Sequence, residues 1–206
     1  TGGNGLGVLD LTTRILELNS RSIFINNPLP TAIARTTGFI QSETDPIAGY
    51  GTLFWIAGNI TAPISYVVPL GNSVSGDYLP ITLDFTSNGV GASGNIQVSM
   101  YPTNTAATPN NRPLPTGLPV LTNFAGVENA ANTIDRFWIV DLNDYTTLPS
   151  SNLTFTYRDS EWSTGTNTII EASLVPQRHD FSTWSLPLAG TINTTANTML
   201  VSGVNS

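Results

Sequence analysis

Ile81-Thr82-Leu83-Asp84-Phe85-Thr86 decides the fold, because apolar and polar side chains alternate through it without a break. A period of two sends Ile81, Leu83 and Phe85 to one face of an extended chain and the polar partners to the other, the mark of a half-buried strand. Pro80 before it and Ser87-Asn88-Gly89 after it are turn residues that close both ends. The same grammar recurs in both directions. Thr52–Ala57 and Ile64–Val68 precede it, and Asn95–Tyr101 and Arg136–Leu142 follow. Further out lie Ile15–Leu18, Ser22–Ile25 and Gly38–Ser42 on one side, and Leu153–Arg158, Thr168–Leu174 and Met199–Ser202 on the other. Apolar residues at helical spacing with capping signals are almost absent. About eleven short strands with turn residues between them predict an all-β chain, an antiparallel, jelly-roll-like β-sandwich. At 206 residues it is expected to form one domain over 1–206.

The N-terminal part reads as an extension of that sandwich. In Ile15-Leu16-Glu17-Leu18-Asn19-Ser20-Arg21-Ser22-Ile23-Phe24-Ile25, the pairs Leu16/Leu18 and Ile23/Ile25 flank a polar turn, which predicts a hairpin. Asn26-Asn27-Pro28-Leu29-Pro30 then breaks the pattern, so 1–30 reads as an appendage. A lone ribbon is marginal, and its apolar side needs the body of the domain or another subunit. Between Pro102 and about Thr133, five prolines mark an irregular stretch, read as a loop wrapping the sandwich edge or a dedicated binding loop.

Charged residues make up 10% of the chain against 40% apolar, so the surface is built of Thr, Ser and Asn. All seven basic residues are Arg and the net charge is −7, which leaves no basic cluster for phosphate and argues against a nucleic-acid partner. Cysteine is absent, so neither disulfides nor thiolate metal sites contribute. No stretch approaches the ~18 consecutive apolar residues of a membrane-spanning helix. The chain opens on Thr1 rather than Met, as a processed or trimmed protein does.

Several ordered phrases carry a family likeness: Ala34-Arg35-Thr36-Thr37-Gly38-Phe39-Ile40-Gln41-Ser42-Glu43, Phe54-Trp55-Ile56-Ala57-Gly58, Val68-Pro69-Leu70-Gly71, Ile134-Asp135-Arg136-Phe137-Trp138, Leu153-Thr154-Phe155-Thr156-Tyr157 and Ile170-Glu171-Ala172-Ser173-Leu174-Val175-Pro176-Gln177-Arg178. Over roughly residues 30 to 206 the chain resembles a β-rich module of Bacteroidetes surface and adhesin-like proteins exported by the type IX secretion system. The resemblance implies an outer-surface, extracellular location and brings no enzyme activity with it.

The residues offer little for catalysis. With no Cys and His179 as the single His, a nucleophilic triad must use His179, yet Gln177-Arg178-His179-Asp180 sends neighbouring side chains to opposite faces. Gly71-Asn72-Ser73-Val74-Ser75-Gly76 misses the nucleophile-elbow pattern. One His and no Cys do not make a zinc site, and Asp141-Leu142-Asn143-Asp144 lacks the glycine and distant Glu of a calcium loop. Glu43, Asp45, Glu161 and Glu171 lie nearest apolar runs, where a glycosidase pair would sit; the competing reading pairs acids with Arg, for example Asp135 or Glu171 with Arg136 or Arg178. Trp55 and Trp138 read as core, while Tyr50, Tyr145, Trp162 and Trp184 lie near turns.

These observations predict a non-catalytic extracellular structural or adhesive module with no cofactor and no metal, possessing itself or neighbouring modules as partners. In the sharpest form it is a filament subunit, in which Leu6–Ile25 completes a neighbour's sheet through Leu6, Val8, Leu16, Leu18, Ile23 and Ile25. A second reading is a carbohydrate-binding module that meets surface glycans through Tyr145, Trp162 and Trp184. A third is a jelly-roll capsid-type protein. Sequons at Asn59, Asn152 and Asn193 are compatible with external exposure.

Overall fold

Alternation becomes burial in the computed structural model, which describes residues 6–44, 49–180 and 182–205. Ile81, Leu83 and Phe85 are sealed from water while Thr82 and Asp84 face outward. Each such apolar side chain contributes about 1.5–3 kcal/mol by leaving water. The strands run in chain order β1 (Leu9–Thr12), β2 (Ile15–Glu17), β3 (Ser22–Ile25), β4 (Ile33–Arg35), β5 (Phe39–Gln41), β6 (Thr52–Ile56) and β7 (Ile64–Val68). A short ribbon of β8 (Gly71–Asn72) and β9 (Asp77–Tyr78) follows. Then come β10 (Ile81–Phe85), β11 (Asn95–Pro102), β12 (Arg136–Asn143), β13 (Ser151–Thr156), β14 (Gly190–Asn193) and β15 (Thr198–Val204).

Two sheets face each other. One has the order β14-β15-β13-β10-β7 and the other β12-β11-β6-β3. Aromatic contacts close the space between them: Trp55 of β6 meets Tyr66 of β7 edge-on at 5.0 Å, and Trp138 of β12 meets Phe155 of β13 at 5.2 Å. The chain is therefore an all-β sandwich whose shared core includes Leu53, Trp55, Tyr66, Leu83, Ile96 and Val98. Among the described residues the only helical turns are short 3-10 turns.

The N-terminal hairpin does not form. The turn is there, since Arg21 N–H donates to Leu18 O at 2.9 Å and Asn19 and Ser20 take positive φ, but its two arms go to different partners. β2 pairs in parallel with β5, Ile15 opposite Phe39, and β3 pairs in parallel with β6, Ser22 opposite Thr52. The corner Leu18–Arg21 thus nests inside the corner that joins β5 to β6. Gly51 makes that nesting possible, because a Cβ there would lie 2.2 Å from Leu18 Cβ. β1 adds a third parallel ladder with β4. Leu18 and Ile25 are buried in the common core, with Leu16 and Ile23 packed against it. Leu6 and Val8 are half-buried just before β1. Far from hanging off the body, the segment is tied in at its base: Trp55 Nε1 donates to Asn27 O at 2.9 Å and Tyr66 Oη to Pro28 O at 2.6 Å.

Thr168–Leu174 also departs from expectation. It forms a 3-10 turn over Glu171–Ser173 with Ile170 exposed, because among the described residues no strand pairs with it to accept ladder hydrogen bonds. The proline-rich stretch does wrap the sandwich. It lays Leu118, Leu121 and Ala130 over Tyr101 and Phe137 on the outer side of β11 and β12, making a second apolar cluster.

Candidate functional site

The buried charges of this chain converge where β12 begins. Arg136 Nη1 reaches Glu43 Oε2 at 2.6 Å, and its Nη2 and Nε donate to Glu161 Oε1 at 2.6 and 2.9 Å. All three side chains are closed to solvent. Glu43 arrives from the corner after β5, and Glu161 from the 3-10 turn Asp159–Glu161 after β13. Arg158 secures that turn, its Nε and backbone N–H donating to the two Glu161 oxygens at 2.8 and 3.0 Å. Asn72 Nδ2 donates to Glu43 as well. Burial works against the Arg136 charge, but Glu161 and Glu43 outweigh it and hold its pKa above the usual value.

Beside this hub, Asp135 Oδ2 accepts Asn167 Nδ2 at 2.5 Å and its Oδ1 accepts Thr103 Oγ1 at 3.4 Å. Burial pushes its carboxyl up to about 6, against the lowering effect of those two donors. The ion pairs are thus not the ones expected from sequence. Asp135 is sequence neighbour to Arg136 and turns to neutral donors, while Glu171 accepts the Tyr157 hydroxyl at 2.7 Å. Glu43 and Glu161 take Arg136 instead, from 93 residues before it and 25 after it. The i,i+3 spacing of Arg158 and Glu161 was the one local signal of this arrangement. Asp45 lies outside the described residues.

The aromatic candidates occupy separate places. Tyr145 is laid against Gly91 and Gly94, where a Cβ at Gly94 would meet its ring at 2.4 Å. Its hydroxyl is buried, and burial pushes its pKa up to about 12, with Tyr66 adding to the rise. Trp162 closes the turn after β13 and donates Nε1 to Asp159 Oδ1 at 3.3 Å. Since Tyr145 precedes β13 and Trp162 follows it, roughly 20 Å of strand separates them, and they do not share a platform. Ser75 sits in the β8–β9 turn, bonded to Asn72 and Arg158, whereas His179 lies edge-on to Trp184 at 5.1 Å. Asn143 and Asp144 are occupied by Gln97 and Asn95. Among the described residues no group of three or more His, Cys, Asp or Glu side chains could hold a metal.

Trp184 borders an open cleft of about 260 Å³. One wall is a tight turn over 122–128, where Thr122 bridges to Glu128 and Asn123 N–H donates to Val127 O at 2.8 Å. Asn123 Oδ1 accepts the N–H groups of Ala125 and Val127, and Phe124 stands at the tip, 61% exposed. The other wall is formed by His179, Ser182, Thr183 and Trp184. There Asp180 Oδ1 accepts from Ser182 N, Ser182 Oγ and Thr183 N at 2.8–3.0 Å, which holds its pKa down at about 2. Trp184 Nε1 points to Val120 O, at 3.5 Å, across the foot of the cleft. Sequence reading found Trp184 but not Phe124, whose role depends on two loops meeting. No family model, curated protein or solved structure matches the chain.

Proposed function

We propose that this chain is a non-catalytic structural or adhesive module of the extracellular surface, and that its N-terminal segment is the element through which copies or neighbouring modules join. One observation carries the reading. Residues 9–25 are held to the body as a layer of three short parallel ladders, each against a strand later in the chain. β3 is an edge strand, and Pro28 and Pro30 follow it as a hinge. A second copy supplying the same segment would make the same backbone bonds and fill the same places with Leu18 and Ile25, so exchange is nearly neutral in contacts.

Two further features support the setting. The outward face of the five-stranded sheet is uncharged over much of its area, with Thr82, Thr154 and Thr191 in neighbouring registers, which agrees with the outer-surface location implied by the likeness to Bacteroidetes surface modules. Glu43 and Glu161, two of the four acids that lie nearest apolar runs, are sealed on Arg136 rather than turned to a cleft. The test uses the absence of native cysteine. Ser22 and Thr52 face each other across the β3–β6 ladder, and the double variant Ser22→Cys, Thr52→Cys is oxidised at high concentration. Covalent dimers and longer ladders on a non-reducing gel are expected. Monomers crosslinked only within the chain would overturn the exchange.

A further inference from the structure

We propose that β12 is a dimerisation edge, where β12 of a second copy pairs antiparallel across a two-fold axis with Val140 opposite its own counterpart. This goes beyond the assembly reading: it uses the edge of the four-stranded sheet opposite to β3 and does not depend on exchange of the N-terminal segment. Hydrogen-bond parity comes first. Thr103 N–H donates to Asp135 O at 3.0 Å, so the odd-numbered residues of β11 and β12 bond each other across the ladder that joins them. The even-numbered residues of β11 point the other way, beside β6, with Met100 N–H donating to Ser42 Oγ at 3.0 Å and Gly94 O accepting Gly58 N–H at 2.9 Å. The even-numbered residues of β12 therefore aim N–H and C=O away from the sheet. Arg136 N–H turns back to Ile134 O, and the outward groups of Trp138, Val140 and Leu142 find no partner among the described residues. Buried backbone groups are rarely left unpaired, so this edge meets water. Trp138, Ile139, Val140 and Asp141 are accordingly half-buried, whereas β11 is closed over nearly its whole length.

The other sheet edges are guarded. Pro63 and Pro69 bracket β7, and Pro69 O is already taken by Ile40 N–H at 2.8 Å. Pro176 crosses β14, its Cγ 2.7 Å from where a Cβ on Gly190 would lie. β3 is only four residues long. β12 runs for eight residues in unbroken register, with no proline, no bulge and no lysine, the devices that keep an edge from pairing.

An edge of this kind is completed by an extended backbone, and its register points to a second copy. The proline-rich stretch covers Phe137, so the open part begins at Trp138. With Val140 opposite Val140, Trp138 pairs with Leu142, and every outward N–H and C=O of these three residues is used in both copies. Their side chains lie on the inner face, apolar against apolar, and carry the core across the axis. On the outer face Asp141, the one charge between 137 and 143, comes to lie opposite Ile139. Sliding by one pair in one direction sets Asp141 against Asp141, which is unfavourable. Sliding in the other sets it against Phe137, beneath the covering stretch. The pairing also closes, because each copy offers the same edge and neither is left with a free one.

The test is sedimentation equilibrium of the full chain. Wild type is expected to be monomeric at about 1 μM and dimeric at about 1 mM. Val140→Pro removes an outward N–H and leaves the bonds to β11 in place, as proline does on an edge strand, and is expected to weaken the dimer about tenfold or more. Ile139→Asp and Ile139→Lys put opposite charges at one half-buried position, so they burden the fold alike. Each faces an Asp141 carboxylate across the axis, and the Lys variant is expected to dimerise at least about tenfold more tightly than the Asp variant. That pair decides the matter even if Val140→Pro does not fold. The proposal is overturned if wild type stays monomeric at about 1 mM, which would leave the edge to a different protein or to water. Dimers or longer polymers that are equally stable in the two Ile139 variants, or unchanged in a folded Val140→Pro, overturn it as well and belong to exchange of the N-terminal segment.

Discussion

Between the main sheets the buried side chains are Leu53, Trp55, Tyr66, Leu83 and Phe85; around the start of β12 they are Arg136, Glu43, Glu161, Asp135 and Asn111. The first region is held by apolar area, which tolerates imprecise geometry and accumulates residue by residue. The second is held by charge-assisted hydrogen bonds that must all be present at once, since a buried ion left without its partner is costly. The difference shows how a chain with few charges uses them. Its central ion-pair hub fastens the corner after β5, the start of β12 and the turn after β13 at a single guanidinium, where an apolar contact would not fix the register of three backbones.

The sharpest way to break the comparison is Arg136→Met, which leaves Glu43 buried without a cation and Glu161 with Arg158 alone. A loss of about 3–5 kcal/mol is expected, read as the shift of the denaturation midpoint in urea. On the apolar side, Leu83→Ala removes one fully buried side chain and should cost about 2–4 kcal/mol by the same measurement. A cost below about 1 kcal/mol would mean that the sandwich is loosely packed at its centre.

The pH dependence separates the regions further. Asp135 titrates at about 6 when folded and at about 4 when unfolded. The folded chain therefore retains a proton that the unfolded chain has released between those values. The stability this provides is fully present below about pH 4 and is lost as pH rises through 6. Urea midpoints of wild type and Asp135→Asn should converge or cross over that window, with wild type losing ground as pH rises, and should run parallel above pH 7. Leu83→Ala should run parallel to wild type throughout. The smallest effect is expected at Phe24, which is 58% exposed and stacks on Phe54 at 4.8 Å. Phe24→Ala should cost about 0.5–1.5 kcal/mol, measured as a thermal midpoint.

The same contrast explains what the sequence made legible. Period-two alternation marked β6, β7 and β10 because those strands have one wetter face and one dry face, and the pattern is local, whereas β11 is buried on both sides. β1, β4 and β14 went unread because they are short and are defined by their partners. The turn at Leu18–Arg21 was legible as a turn, but the destination of its arms was not, since parallel pairing with β5 and β6 leaves no mark within the segment itself. At Thr168–Leu174 β-branched residues gave the local signal with no neighbouring strand to answer it. Arg136, Glu43 and Glu161 are each unremarkable in sequence, and only the fold brings them together. The cleft is the same case: Trp184 was visible as an aromatic near a turn, while Phe124 belongs to a loop whose proline content gave no hint of what faces it.

β15 lies inside its sheet, with β13 on one side and β14 on the other. During synthesis from the N-terminus, β7, β10 and β13 are all made before it, and Leu153 and Phe155 wait for Val201 and Met199 to arrive opposite them. The five-stranded half of the sandwich therefore closes late, whatever the local propensity of its earlier strands. A chain interrupted before Thr198 keeps an unfinished sheet with an exposed apolar edge, so synthesis through β15 is itself the checkpoint for folding.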